Sequence, residues 1–185
     1  MLTLASASPR RADLLRAAGI PFEVDPAEID EDPFPGELAD QYVLRVARDK
    51  AESVACRKSG TLVLAADTTV VIDGTILGKP ASDEEARMML ERLSGQEHEV
   101  LTGVVLRNGT REWAAVARTR VRFLPISTEE IDRYIASGEP RDKAGAYAIQ
   151  GLASQFIARL EGSYTNVVGL PVGQVCSLLR EAGGL

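Results

Sequence analysis

Leu4-Ala5-Ser6-Ala7-Ser8-Pro9-Arg10-Arg11 joins the end of a short apolar strand to the start of a helix. Ser8 suits the N-cap and Pro9 the first helical position, which leaves free backbone N–H groups and the positive end of the helix dipole facing outward. Arg10 and Arg11 add planar donor forks that match phosphate oxygens two bonds at a time. Basic residues at a helix N-terminus oppose the dipole, so they call for a reason. Two readings stand at this point: a helix start built to hold phosphate, or a solvated first turn carrying two surface arginines.

Working outward, Leu14, Leu15 and Ala18 predict one buried stripe on a helix over 9–18 that stops at Gly19, and Phe22 to Val24 reads as a second strand. Residues 25–36 have no period and are rich in Asp, Glu and Pro, which predicts a loop. A long helix is expected from Glu37 to Arg57, with Leu38, Tyr42, Val46 and Val54 buried and Arg45, Arg48, Asp49 and Lys50 interleaved. Thr61-Leu62-Val63-Leu64-Ala65-Ala66 is a continuous apolar run, the mark of a strand covered on both faces and expected to end at Asp67. Thr69 to Ile72 resumes as strand, and Asp73-Gly74 is a hairpin turn into Ile76-Leu77. Capping-box spacing at Ser82/Glu85 and Ser127/Glu130 opens helices that close before Gly95 and near Gly138. A hairpin over 98–107 and 111–124 turns at Asn108-Gly109. A Gly-rich stretch over 139–169 leads to a final helix over 171–182. The mixture predicts an α/β or α+β fold, one domain over 1–185, with two lobes around a cleft.

The chain has 185 residues, 45% of them hydrophobic and 26% charged, with a formal net charge of -6. This is an ordinary globular composition. No apolar run approaches the roughly 20 residues that span a bilayer, and no secretory signal opens the chain, so no membrane association and a cytoplasmic location are expected. An acidic surface excludes broad binding to a nucleic acid polymer, which needs a basic face, whereas locally concentrated Arg and Lys suit a small anionic ligand. Cys56 and Cys176 lack metal-ligand spacing and predict reduced, buried thiols.

Asp67, where an apolar core strand emerges, is the leading candidate for acid–base chemistry, with Thr68 beside it. A turn carboxylate is the competing reading. Lys79 and Lys50 can converge with Arg10 and Arg11 on the same crevice. Glu31 of the acidic loop supplies a second carboxylate, and two carboxylates near phosphates suit Mg²⁺ whose shell is completed by water and phosphate. Gly74-Thr75-Ile76-Leu77-Gly78-Lys79 mimics a P-loop but has the wrong glycine spacing and Pro80 where Ser or Thr is required. His98 is the only histidine. A surface or packing role is expected of it rather than catalysis.

Leu4 to Arg11, Ala65-Ala66-Asp67-Thr68, Gly78-Lys79-Pro80, Glu139-Pro140-Arg141-Asp142-Lys143-Ala144-Gly145-Ala146-Tyr147, Ile149-Gln150-Gly151 and Gly162-Ser163-Tyr164 with Asn166-Val167-Val168-Gly169-Leu170-Pro171 together resemble the Maf family of septum-formation-associated nucleotide pyrophosphatases. The motifs run in the same order from Leu2 to the last helix. The resemblance implies an α/β fold related to the inosine triphosphatases, with a long curved mixed sheet flanked by helices and a cleft between two lobes. It implies cleavage of nucleoside triphosphates to monophosphate and pyrophosphate with a divalent metal, Mg²⁺ or Mn²⁺. It places the proton acceptor at Asp67, and phosphate and metal positions at or near Ser8, Arg11, Glu31, Lys50 and Lys79. It marks Arg10, Thr68 and Gln150 as positions of the branch acting on dTTP and UTP. A homodimer is what the family suggests. A house-cleaning role on modified pyrimidine nucleotides, or a nucleotide-binding regulator of cell division with incidental catalysis, are the alternatives.

Overall fold

The computed structural model describes residues 1–58 and 60–184. In chain order the elements are β1 (Leu2–Leu4), α1 (Pro9–Ala17), β2 (Phe22–Val24), α2 (Ala39–Arg57), β3 (Leu62–Ile72), β4 (Thr75–Leu77), α3 (Asp83–Leu93), β5 (Glu97–Asn108), β6 (Arg111–Phe123), α4 (Thr128–Ala136), β7 (Ile157–Glu161), α5 (Tyr164–Val168) and α6 (Val172–Glu181). The strands form one mixed sheet of order β2-β1-β3-β5-β6-β7, with β4 paired to β3. The mixed α/β class expected from the sequence is the one observed. Among the described residues, no helix is long and apolar enough to cross a membrane.

The chain divides into two compact units. The first holds Met1–Thr68, Thr102–Ala117 and the chain from Gly169 onward. Here β1 runs parallel to β2 on one side and to β3 on the other, Leu4 facing Val24 and Leu64 in register. The chain therefore leaves β1 through α1 in one direction and returns through α2 to β3 in the other. That reversal of strand order is where α/β sheets open a crevice beyond the carboxyl ends of their strands.

Alternation along β3 sends side chains to opposite layers. Leu64 and Ala66 join Leu4, Leu15, Leu106, Leu170 and Leu179 in one apolar cluster, while Val63 and Ala65 join Ala47, Ala51 and Val54 of α2 in another. The second layer is built of small residues because α2 lies very close to the sheet. A Cβ placed on Gly103 would stand 2.3 Å from the Val43 carbonyl oxygen.

The second unit holds Thr69–Leu101 and Arg118–Val168. Asp73 and Gly74 both take positive φ, 48° and 72°, as a tight β-hairpin turn requires. Ser127 and Glu130 form the full reciprocal capping box of α4. At α3 Ser82 accepts from the Glu85 N–H, but the Glu85 carboxylate bonds the Ala81 N–H. His98 is buried against Phe123 and Tyr147, edge to face at 4.9 and 5.4 Å, with Nε2 2.8 Å from the Tyr147 hydroxyl. Of the surface and packing roles left open for it, the structure shows packing.

Several local expectations are corrected. Asp67 does not end the strand, because β3 runs unbroken through it. Helix α2 begins at Ala39, and Leu38 is exposed at its N-cap. On α1 the buried stripe is Arg11, Ala12 and Leu15, with Ala18 outside the helix. Cys56 is exposed and Cys176 half-buried, so the thiols are free but not core groups.

Candidate functional site

Arg11 lies on the inner face of α1 and is 9% exposed. Its fork is fully committed: Nε donates to the Gly169 carbonyl at 2.8 Å, one terminal nitrogen to Ser6 Oγ at 3.0 Å, and the other to Thr68 Oγ1 at 3.1 Å. Thr68 Oγ1 lies 2.9 Å from Thr102 Oγ1 and 3.2 Å from the Gly169 oxygen. Burial pushes the Arg11 guanidinium below its ordinary value, against the opposing pull of the Asp67 and Glu31 carboxylates, while Arg10 adds to the lowering. The solvated reading of this helix start is therefore excluded for Arg11. Ser8 occupies the N-cap without a side-chain bond to the helix, and the first turn carries no acidic residue. Ser8 and Arg10 are half-buried at that same turn.

The neighbouring residue on β3 faces the other layer. Asp67 Oδ1 accepts from Lys50 Nζ at 2.8 Å, and the same ammonium lies 2.9 Å from Glu31 Oε1. Lys50 and Asp67 are each 6% exposed. Lys50 stands in the buried stripe of α2, seven residues after Val43 and four before Val54. A charge in that stripe persists only when paired, because an unpaired buried ion costs several kcal/mol. The Tyr42 hydroxyl donates to the Glu31 carbonyl at 2.9 Å. Burial and the Asp67 and Glu31 charges push the Tyr42 phenol upward, keeping it a donor.

The outcome is two buried cations and two carboxylates at the carboxyl end of β1 and within β3, drawn from α1, the acidic loop, α2 and β3. The arrangement brings together Arg11, Glu31, Lys50, Asp67 and Thr68 of the sequence-derived candidates. Lys79 and Gln150 lie in the second unit and are exposed. The Gln150 loop is held by Glu139, whose carboxylate accepts from the Tyr134 hydroxyl at 2.9 Å and the Leu152 N–H at 2.9 Å. Ser6, Tyr42, Thr102 and Gly169 were not foreseen as site contacts. Ser6 and Gly169 sit inside recognised motifs, but Thr102 carries no local sign of its role.

Glu31 and Asp67 share the Lys50 ammonium as partner, and their hard carboxylate oxygens are of the kind that suits Mg²⁺ or Mn²⁺ completed by other oxygens. Among the described residues no group of three or more His, Cys, Asp and Glu is placed to hold a metal by itself. The fit is to an ion shared with a ligand.

A family model described as Maf-like protein matches residues 1–182. The chain belongs to the Maf family. A Maf relative from Methylococcus capsulatus, named dTTP/UTP pyrophosphatase, is 55% identical across 98% of this chain and 91% of its own length. Proteins of the same name from Myxococcus xanthus and Citrifermentans bemidjiense are 55% and 51% identical, covering 99% and 100% of this Maf chain and 93% and 96% of their own. Among solved structures, the Staphylococcus aureus Ham1 protein matches 98% of each chain with a TM-score of 0.57 at 12% identity. That likeness is one of fold.

Proposed function

We propose that this Maf chain hydrolyses dTTP and UTP to the nucleoside monophosphate and pyrophosphate. The observation that carries the reading is the buried Lys50–Asp67 pair lying at the strand-order reversal together with the buried Arg11 fork, in a chain about half identical to proteins named dTTP/UTP pyrophosphatase. Water attacks the α-phosphorus, the bond to the bridging oxygen of the departing pyrophosphate breaks, and the water proton passes to Asp67. Lys50 occupies Oδ1, and among the described residues no hydrogen bond occupies Oδ2, the oxygen assigned to that proton. Glu31 and Asp67 would hold a divalent ion, which when bound offsets negative charge on the phosphate chain.

Arg11, Lys50 and Lys79 are assigned to the charge that accumulates on the leaving group, and Ser8 and Arg10 to the phosphates at the helix start. Thr68 sets the Arg11 fork. Gln150, with one acceptor and two donors, is assigned to the O4 and N3–H edge shared by uracil and thymine. The roles of Lys79 and Gln150 rest on the matching motifs.

The test is pyrophosphate release from dTTP, UTP, CTP, GTP, ITP and 7-methyl-GTP with Mg²⁺ or Mn²⁺, beside Asp67→Asn. Turnover of dTTP and UTP is expected to fall by about 10²–10⁴ in the variant, with the fold kept because Lys50 retains Glu31. A variant turning over at the wild-type rate removes Asp67 from the proton-transfer role. Saturable binding of every nucleotide without pyrophosphate release overturns the enzyme assignment.

A further inference from the structure

Helix α2 contributes more to the site than Lys50. The acidic loop over 25–36 has no secondary structure of its own, yet one face of α2 grips it from end to end. Arg57 donates to Asp25 Oδ1 at 2.8 Å and to the Pro26 carbonyl at 3.0 Å. Tyr42 donates to the Glu31 carbonyl at 2.9 Å, and Arg45 to the next carbonyl, that of Asp32, at 3.0 Å. Arg45 also holds Glu37 through two parallel bonds of 2.7 and 2.8 Å, and its guanidinium lies 4.0 Å from the centre of the Phe34 ring.

We propose that Tyr42 and Arg45 are positioning residues that fix the backbone immediately after Glu31, so that its carboxylate is pre-set beside Asp67 for a divalent cation before substrate arrives. The proposal rests on the assignment of Glu31 and Asp67 to the metal. The geometry gives its reason. Glu31 is the one member of the buried charge group on a loop rather than on a helix or strand, and its side chain is 39% exposed. Within the loop itself, the Asp32 N–H donates to Asp30 Oδ1 at 2.9 Å, a local turn around Glu31. A bond to a carbonyl cannot serve as ligand or proton donor to a phosphate while it lasts, so the Tyr42 hydroxyl and this Arg45 nitrogen are committed to the loop. Two consecutive carbonyls held from the same helix fix the peptide planes on either side of the Asp32 Cα, and so restrict the direction of the Glu31 Cα–Cβ bond from its C-terminal side. Tyr42 lies two turns before Lys50 on the same helix face, so a single rigid element sets both the loop and the ammonium it faces.

The experiment compares wild type, Tyr42→Phe, Arg45→Lys and the double variant with Glu31→Gln. Phe keeps the Tyr42 ring in its packing, and Lys keeps the Arg45 charge while losing the fork. The first readout is Mn²⁺ binding together with a non-cleavable α,β-imido analogue of dUTP, taken as the Mn²⁺ concentration that gives half-maximal binding of the analogue. The second is hydrogen exchange of residues 27–36 in the metal-free protein. Each single variant is expected to weaken Mn²⁺ binding by about 3- to 10-fold, the effect of one or two lost hydrogen bonds, and to speed exchange in the loop but not in β3. The metal concentration giving half-maximal turnover should rise in step, with kcat at saturating metal falling much less. If Glu31→Gln weakens Mn²⁺ binding while Tyr42→Phe and the double variant bind as wild type, the positioning role is overturned and the metal assignment stands. If Glu31→Gln itself binds Mn²⁺ as wild type, the assignment of Glu31 to the metal fails and takes the proposal with it.

Discussion

Replacing Lys50 by Met keeps an unbranched apolar stem and removes the terminal ammonium, leaving Asp67 6% exposed in the small-residue layer under α2 without its cation. At 2.8 Å and an effective dielectric of about 20, the gross attraction to Asp67 is roughly 6 kcal/mol. Desolvation of the ammonium offsets much of this, and truncating one partner of a buried pair costs about 3–5 kcal/mol, mostly the penalty of the charge left behind. Glu31, more than a third exposed, adds no more than about 1 kcal/mol. The expected loss lowers the melting temperature by about 6–20 °C in a chain of this size. Urea unfolding of wild type, Lys50→Met, Asp67→Asn and the double variant measures it directly. The coupling between the two sites should exceed about 1.5 kcal/mol. Additivity within about 0.5 kcal/mol would refute the account of this pair as mutually dependent buried charges.

Two further outcomes follow from the same contacts. Arg11→Lys keeps one positive charge but cannot reach Ser6, Thr68 and Gly169 together, so unfolding should show a loss of about 1.5–3 kcal/mol for each charged bond that is not remade, and kcat/KM for dTTP should fall with it. A lysine variant as stable as wild type would mean that the fork does not hold the site. His98, held down to about 4 from 6.5 by burial, is neutral in the fold. Its contribution is complete above pH 6.5, the unfolded value, and is lost as the pH falls from there through about 4. The loss is on the order of 3 kcal/mol. His98→Gln should flatten that part of the stability curve, and an unchanged acid limb would assign it to other groups.

The local grammar of the chain was legible without coordinates. Ser8-Pro9 opens α1, Asp73-Gly74 turns the hairpin, Ser127 and Glu130 cap α4, and the run over 61–66 lies in the middle of a sheet covered on both faces. Each of these depends on residues within a few positions of one another, and short-range sterics and hydrogen bonding decide them. The family, too, was carried by motifs in linear order. The buried stripe of α1 was misread because the sequence makes Arg11 look like a surface residue, and only a carbonyl 158 positions away shows otherwise. Lys50 falls in phase with Val43, Ala47 and Val54, so its burial was available from periodicity, but its partner was not. Asp67 seemed to end a strand because charge normally marks an exit from the core. The strand continues because Lys50, on a helix brought across the sheet, neutralises that charge in place. Sequence reports what each residue prefers locally; whether a charge may stay buried depends on which distant group the order of the strands delivers to it.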